Sequence, residues 1–307
     1  MIPMPRRNLL LCFDAFGTLF KPRRPIAVQY REIARECGLD GFSDEQLQHA
    51  FRAAFKSEAK THPNYGRASG MGAEKWWTNV ITKTFQPLLA GQSLPTDLAP
   101  KLLHRFSSDK GYSFAPELPE VLKSLKQPQH QHPRKRFDKI VVGVITNSDD
   151  RVPGILSSFG LNVSPLRFGS HGTTPVNGLK DQYDIDFHCM SYDVGFEKPD
   201  TRIFVAAESM LKRVISAQRD DEVVGGHNDL SSWIEVYVGD EYDKDVVGAL
   251  GAGWNAVLLN DGGADQGLSI RELENSPTKS LDDVFSGTST LSVKSIRSLG
   301  DWLLARD

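Results

Sequence analysis

The sequence feature that most constrains the fold is a run of five apolar residues, 9–13, which ends abruptly on Asp14. The run is too short to cross a membrane and suits a strand that is buried on both faces. Gly17 then allows a tight turn, and Thr18 can cap the segment that follows. At the carboxyl end of a central parallel strand, Asp14 could serve as a nucleophile or a metal ligand. A surface aspartate that opens a turn is the alternative interpretation.

Strand-like runs that end in polar residues recur along the chain. They cover residues 140–147, 235–240 and 255–259, and a shorter strand is predicted at 187–192. Segments with helical spacing, such as residues 201–211, lie between them. This alternation predicts an α/β fold whose Rossmann-like core is a parallel sheet of about five strands.

A long helical pattern separates the first strand from the next α/β unit. Ser43 and Gln46 have the spacing of a capping box, which predicts the start of one of its helices. We therefore expect a discontinuous core domain of residues 8–21 and 112–307, and an all-helical cap domain at residues 22–111. A cap inserted there can close over a site at the strand ends and exclude water.

The net charge and the cysteine content limit which binding partners and which cellular compartment we expect. A formal net charge of −3 over 307 residues gives no reason to expect nucleic acid or a membrane as a partner. Three cysteines make no disulfide framework and fit a reducing compartment. The apolar run stops at Asp14, too early for a signal peptide. We therefore expect an intracellular protein, cytoplasmic or nuclear, whose oligomeric state the sequence leaves open.

Four segments resemble, in family order, the motifs of the haloacid dehalogenase superfamily. The first segment begins at Asp14, and the second ends strand two at Thr146 and Asn147. The third contains Lys198 before a proline, and the fourth runs from Asp240 to Asp245. Together the four segments span most of the chain. The resemblance implies a hydrolase with a Rossmann-like core and a helical cap. In phosphatases of this superfamily the first aspartate attacks phosphorus and forms an aspartyl-phosphate.

The resemblance also implies a role for each catalytic candidate. Asp14 corresponds to the nucleophile, and Lys198 to the lysine that neutralises it and the transferred group. Thr146 resembles the hydroxyl residue that binds the transferred group, and Asn147 beside it can assist. The implied substrate is a small anionic compound that carries a phosphoryl group.

A magnesium site is implied in the same way. Asp240 resembles the metal ligand and Asp245 its supporting acid, while Asp14 and the backbone carbonyl of Phe16 complete the protein ligands. Carboxylates suit Mg²⁺, a hard cation that prefers oxygen. Asp243 matches no ligand position, and we interpret it as a surface residue or a helix N-terminal charge.

The chain departs from the phosphatase pattern at Phe16, where phosphatases have a second aspartate. Phenylalanine cannot transfer a proton, and general acid–base help contributes roughly 10²–10⁴-fold, so weak phosphatase activity is expected unless another group substitutes. Dehalogenases of the superfamily commonly have an aromatic residue there, but they use no magnesium and lack the acid at Asp240. The chain is dehalogenase-like in its first motif and phosphatase-like in its fourth.

Three functions therefore stay open. The leading hypothesis is a magnesium-dependent hydrolase of a small phosphorylated metabolite. The second, motivated by Phe16, is a catalytically impaired protein that acts as a ligand sensor or an interaction scaffold. The third is a 2-haloacid dehalogenase, against which Asp240 argues.

One subgroup shares this mixture of motifs. The group of haloacid-dehalogenase-like hydrolase domain-containing protein 3 and its fungal relatives resembles this chain at residues 63–66, at Trp76 and Trp77, and at residues 239–242. We expect the segments 128–136, 162–186 and 216–232 to be loop insertions of this branch.

Some polar and aromatic residues have two interpretations. The pair Trp76 and Trp77 is core of the cap or a substrate platform. Arg23 and Arg24 form a solvated linker or meet an anionic substrate. Two histidines, His130 and His132, lie in a polar loop where histidines usually bind nothing.

Overall fold

A computed structural model describes residues 7–89, 91–126, 137–170, 183–218, 230–260, 270–273, 285 and 288–304. The predicted loop 128–136, with its two histidines, lies outside the described residues, as do parts of the other two predicted loops. The chain separates into two compact units. The first unit comprises Met1–Leu19, Phe114–Asn147 and Gly160–Asp307, and the second comprises Phe20–Ser113 and Ser148–Phe159.

The strands alternate with helices along the chain. The strands are β1 (Arg7–Phe13), β2 (Phe20–Pro22), β3 (Tyr112–Phe114), β4 (Phe137–Thr146), β5 (Phe187–Met190), β6 (Trp233–Gly239), β7 (Asn255–Leu259), β8 (Arg271–Glu272) and β9 (Thr290–Val293). The helices are α1 (Ile26–Glu36), α2 (Asp44–Thr61), α3 (Pro63–Gly66), α4 (Ala73–Phe85), α5 (Leu98–Arg105), α6 (Leu118–Lys126), α7 (Val152–Ser158), α8 (Ser191–Val194), α9 (Arg202–Gln218), α10 (Val247–Gly251) and α11 (Ile296–Leu304). None of the described helices is long and apolar enough to cross a membrane.

The first unit contains a parallel sheet of seven strands in the order β5-β4-β1-β6-β7-β9-β8. The prediction of a Rossmann-like α/β core is therefore confirmed. The expected number of about five strands is too low, because β8 and β9 have only two and four residues, which is too short for a clear strand pattern. A separate two-stranded sheet pairs β2 with β3.

Strand β1 lies in the middle of the large sheet. It pairs with β4 on one side and with β6 on the other, and residues 9–13 have no exposed surface. The strand order reverses between β1 and β6, so the loops after these two strands leave a crevice at the carboxyl edge. This topology positions the residue after each strand, including Asp14, for a shared site.

Helix α9 covers one face of the sheet. Its apolar side, including Phe204 and Met210, packs with Leu10, Cys12 and Tyr237 in one buried cluster. Cys12 on β1 and Cys189 on β5 are free thiols buried in the same cluster, where each packs as a small apolar residue.

The second unit is built mainly from α1, α2, α4 and α5 around aromatic side chains. Tyr30 packs against Phe51, Phe85 and Phe106 with ring centroids 5.3 to 6.0 Å apart. Helix α2 begins with the predicted capping box, because Ser43 and Gln46 exchange both hydrogen bonds. Helix α7 also belongs to this unit, although it directly follows the loop after β4.

The two tryptophans of the second unit both have structural partners. Trp76 is 2% exposed and its indole nitrogen donates to the carbonyl of His62 at 2.9 Å. Tyr65 lies in a left-handed turn, with φ +56°, and its ring contacts Trp76 at a centroid distance of 5.1 Å. Trp77 donates to Asp149 Oδ2 at 2.8 Å. The interpretation of Trp76 as core of the helical unit is therefore confirmed.

Candidate functional site

The predicted catalytic residues of the first unit meet at the carboxyl edge of its sheet. Asp14 follows β1, Thr146 is the last residue of β4, and Asp240 follows β6. The backbone N–H of Asp14 donates to the carbonyl of Val238 at 2.8 Å, which extends the strand pairing one residue beyond β1. Asp14 and Thr146 are 6% and 1% exposed, so the strands place both side chains below the surface.

Lys198 lies at the centre of this site and is 5% exposed. Its Nζ atom is 2.6 Å from Asp14 Oδ1 and 2.7 Å from Asp245 Oδ1. A third contact joins Nζ to the hydroxyl of Tyr237 at 2.7 Å. The three protons of the ammonium group thus have three acceptors on three different elements of the chain.

Asn147 fixes the backbone of Lys198. Its Oδ1 accepts from the Lys198 N–H at 2.6 Å, and its Nδ2 donates to the Lys198 carbonyl at 3.0 Å. The amide therefore engages the main chain of the lysine loop through both of its polar atoms. This geometry explains how a lysine that precedes a proline, in a loop, is held at a constant place.

Asp240 stands against the turn that follows Asp14. Thr18 Oγ1 donates to Asp240 Oδ1 at 2.9 Å. The hydroxyl that was expected to cap the following segment thus binds a carboxylate of the site. Gly17 has φ +92°, and a Cβ atom there would overlap the Asp240 carboxylate. The glycine and the threonine of the first motif thus shape the position of Asp240.

Asp245 is held by both of its oxygens. Oδ1 accepts from Lys198, and Oδ2 accepts from the backbone N–H of Glu241 at 2.9 Å. The residue lies in a π-helical turn, Tyr242–Val246, and Gly239 lacks the Cβ atom that would overlap its carboxylate. Because its oxygens are already engaged, Asp245 fits a supporting acid better than a direct ligand.

Burial and mutual repulsion shift the ionisation of these groups. Burial raises the pKa of Asp14 to about 6, although Lys198 acts in the opposite direction, and Asp245 adds to the increase. Burial also raises the pKa of Asp240, with the Thr18 hydrogen bond opposing it. Burial would lower the pKa of Lys198, but the charges of Asp14 and Asp245 raise it, so the ammonium is retained.

The residues present fit a hard divalent cation. One carboxylate oxygen each from Asp14, Asp240 and Asp245 lies within 4.8 Å of the others. With all three ionised, they carry −3 against the +1 of Lys198, so this group has a net charge of about −2. An all-oxygen, negatively charged set of ligands is the type that Mg²⁺ prefers. Phe16 lies in the same loop and can contribute only its backbone carbonyl to an ion.

The remaining candidates either have hydrogen-bond or ion-pair partners of their own or are exposed. Arg23 donates to the carbonyls of Tyr112 and Asp109 in the second unit. Arg24 pairs with Glu32 in that unit. Both arginines therefore have structural partners within the second unit. Asp243 is exposed, as expected for a surface charge.

Tyr237 is the residue of this site that sequence reasoning missed. It is 1% exposed in the middle of β6, and its hydroxyl donates to the carbonyl of Ile145 at 2.7 Å. The signal in the sequence was a phenol between two valines in a strand expected to be buried. Such a hydroxyl needs a partner inside the protein, which points to a polar site nearby.

Comparison with known proteins identifies relatives of the chain. Residues 9–224 match the family model described as haloacid dehalogenase-like hydrolase. Haloacid dehalogenase-like hydrolase domain-containing protein 3 of Danio rerio is 30% identical, over 81% of this chain and 83% of that protein. An uncharacterised hydrolase of Schizosaccharomyces pombe is 29% identical, over 82% of this chain and 92% of that protein. These relatives are of the animal and fungal group that the motifs predicted.

Solved structures share the fold. The hydrolase YfnB from Bacillus subtilis, bound to magnesium, matches with a TM-score of 0.54 and 14% identity, over 98% of this chain and 100% of that chain. A 2-haloacid dehalogenase from Pseudomonas syringae matches with a TM-score of 0.51 and 18% identity, over 96% of this chain and 97% of that chain. At these identities the likeness concerns the fold alone.

Proposed function

The chain belongs to the haloacid dehalogenase-like hydrolase family, and from this premise we propose that it is a magnesium-dependent phosphatase of a small phosphorylated compound. The observation that carries the proposal is the group of three carboxylates, those of Asp14, Asp240 and Asp245, around the Lys198 ammonium. This group offers a nucleophile, a fixed cation and oxygen ligands for a metal at one edge of the sheet.

Asp14 acts as the nucleophile in this proposal. One of its oxygens attacks phosphorus, the bond from phosphorus to the leaving oxygen breaks, and an acyl phosphate forms on Asp14. Lys198 neutralises the carboxylate and the transferred group, while Thr146 binds the phosphoryl oxygens. Water then attacks the acyl phosphate, which releases inorganic phosphate and restores the carboxylate.

The leaving oxygen must gain a proton during the first step. Phe16 stands where the family's phosphatases have the proton donor, and its side chain cannot donate. The proton therefore comes from solvent or from the substrate's own ionisable groups, and substrates with good leaving groups should react fastest. This expectation favours acyl or aryl phosphates over alkyl phosphates.

Mg²⁺ would be held by Asp14, Asp240 and the backbone carbonyl of Phe16, with Asp245 supporting the arrangement. When bound, the ion supplies positive charge that offsets the net charge of about −2 at this group. An anionic substrate needs that compensation, because Lys198 is already shared between two carboxylates.

Phosphate release tests the proposal. A panel of phosphorylated compounds is assayed with and without Mg²⁺, using the wild type and Asp14→Asn. We expect Mg²⁺-dependent release that falls by at least 10³-fold in Asp14→Asn, because the nucleophile is lost. Asp243→Asn, the same change at an exposed carboxylate of the fourth motif, is the matched control and should retain the wild-type rate. An unchanged rate in Asp14→Asn would reject the proposal.

Phe16 motivates a second candidate, a sensor or scaffold that binds without turnover. It predicts binding of Mg²⁺ and phosphate analogues by a wild type that releases no phosphate. Phe16→Asp separates the two, since a gain of activity from a silent wild type would favour the sensor. Metal-independent halide release from 2-haloacids would instead favour a dehalogenase.

A further inference from the structure

Tyr237 joins the candidate site to the interior of the sheet. Its hydroxyl accepts from Lys198 Nζ and donates to the carbonyl of Ile145, both at 2.7 Å. Ile145 lies in β4 and Tyr237 in β6, the two strands that flank β1. The phenol therefore connects the Lys198 ammonium to a backbone carbonyl, whose position does not depend on a side-chain rotamer.

The ring of Tyr237 is fixed as firmly as its hydroxyl. It packs edge-on against Phe204 at a centroid distance of 5.1 Å, and Phe204 in turn packs against Trp254. All three side chains belong to the buried cluster under α9. Burial and the charges of Asp245 and Asp14 raise the pKa of the phenol well above its usual value, so it stays neutral.

The other two partners of Lys198 are carboxylates, and one of them changes during the proposed reaction. Asp14 loses its negative charge when its oxygen is bonded to phosphorus. The attraction that holds Nζ at 2.6 Å from Asp14 then weakens, while the hydroxyl of Tyr237 and the carboxylate of Asp245 are unchanged. Without the hydroxyl, the ammonium would then be held only by Asp245 and by the transferred group, and the transferred group moves during the reaction.

We propose that Tyr237 is a positioning residue that keeps the Lys198 ammonium aligned with the transferred group throughout the reaction. The inference rests on the proposed function. It assigns the alignment of the catalytic lysine in part to Tyr237, a residue outside the family motifs. Misplacing a charged group by a fraction of an ångström lowers the rate more than it lowers substrate binding, because the lysine is needed most in the transition state.

Tyr237→Phe tests the inference, since it removes the hydroxyl and keeps the ring. With any compound that the wild type hydrolyses, we expect kcat to fall about tenfold or more while KM changes less than about threefold. Binding of beryllium fluoride with Mg²⁺, a mimic of the acyl phosphate, should weaken by a similar factor. Trp254→Phe is the matched control, because it perturbs the same cluster without contacting Lys198, and its kcat should stay within about twofold of the wild type.

The outcomes separate the inference from the function on which it rests. A wild type that neither turns over nor binds beryllium fluoride contradicts the proposed function, and the inference with it. A competent wild type matched by Tyr237→Phe overturns the inference alone. If Tyr237→Phe does not fold, Tyr237→Gln replaces it, because the amide keeps a donor and an acceptor but moves both. The same fall in kcat at constant KM is then expected, and an unchanged kcat again overturns the inference.

Discussion

At the scale of single residues, the site depends on two glycines because they lack a Cβ atom. Gly17 and Gly239 each leave room for a carboxylate, that of Asp240 and that of Asp245. Phe16 has no side-chain proton donor, and in the proposed metal site it would contribute only its backbone carbonyl. The two glycines therefore decide where the carboxylates of Asp240 and Asp245 can lie.

Gly17→Ala should therefore weaken metal binding at the proposed site. The new Cβ overlaps the Asp240 carboxylate, and the positive φ of +92° strains any side chain. We expect at least a tenfold weaker Mg²⁺ affinity, measured by titration calorimetry. Gly38→Ala is the matched control, because Gly38 has a similar φ of +81° but no described atom within 4 Å of the place that a Cβ would take. Equal Mg²⁺ affinities in the wild type and Gly17→Ala would contradict this prediction.

At the scale of elements, a buried carboxylate joins two helices of the second unit. Glu58 on α2 has no exposed side-chain surface and accepts from Asn79 at 2.8 Å and Lys83 at 2.5 Å, both on α4. His62 Nδ1 lies 2.9 Å from the same carboxylate. Burial would raise the pKa of Glu58, but the hydrogen bonds from Lys83 and Asn79 lower it, so the charge is maintained.

Neutralising this carboxylate should destabilise the second unit. Glu58→Gln removes the charge that accepts from Lys83 and Asn79, and the Lys83 side chain, which is 40% exposed, can then turn to solvent. We therefore expect a loss of about 1.5 kcal/mol in the free energy of unfolding. Urea unfolding measures it. Glu36→Gln, the same change at an exposed site on α1, should stay within about 0.5 kcal/mol. Equal losses in the two variants would show that Glu58 does not join the helices in this way.

At the scale of the whole molecule, the parallel sheet buries polar groups that neither motifs nor periodicity identify. His188 on β5 is 1% exposed, and its Nε2 has no hydrogen-bond partner among the described residues. The backbone of His188 is hydrogen-bonded to residues 166–168, with its N–H donating to the carbonyl of Leu166 and its carbonyl accepting from the N–H of Phe168. Burial lowers the pKa of His188 to about 4, with the charge of Arg167 adding to the effect.

The stability of the fold should therefore depend on pH through His188. The unfolded chain binds a proton near pH 6.5 and the folded chain only near pH 4, so stability decreases as pH falls between these values. From pH 7 to pH 5 we expect this residue to contribute a loss of about 2 kcal/mol. Urea unfolding of the wild type and His188→Asn at both pH values measures it. The prediction is wrong if the variant loses as much stability as the wild type over this range.

Much of the fold and part of the site follow from the sequence. The apolar run before Asp14, the alternation of strand and helix patterns, and the order of the four motifs predict the Rossmann-like core and the family. Periodicity and capping are local properties, so β1 and the start of α2 at Ser43 could be located without a structure. The residues after the strands were expected at one edge of the sheet because parallel strands align their carboxyl ends.

The tertiary structure alone decided how those residues contact each other. Lys198 and Asp14 are 184 positions apart, and their contact depends on strand order, register and the turn that Asn147 holds. The hydroxyl of Tyr237 beside Lys198, and the attachment of α7 to the second unit, likewise have no local signature. The apolar pattern of a sequence indicates which faces of its elements are buried. The partners of buried polar groups are set by packing between distant elements, where each donor takes the acceptor that the fold brings within about 3 Å.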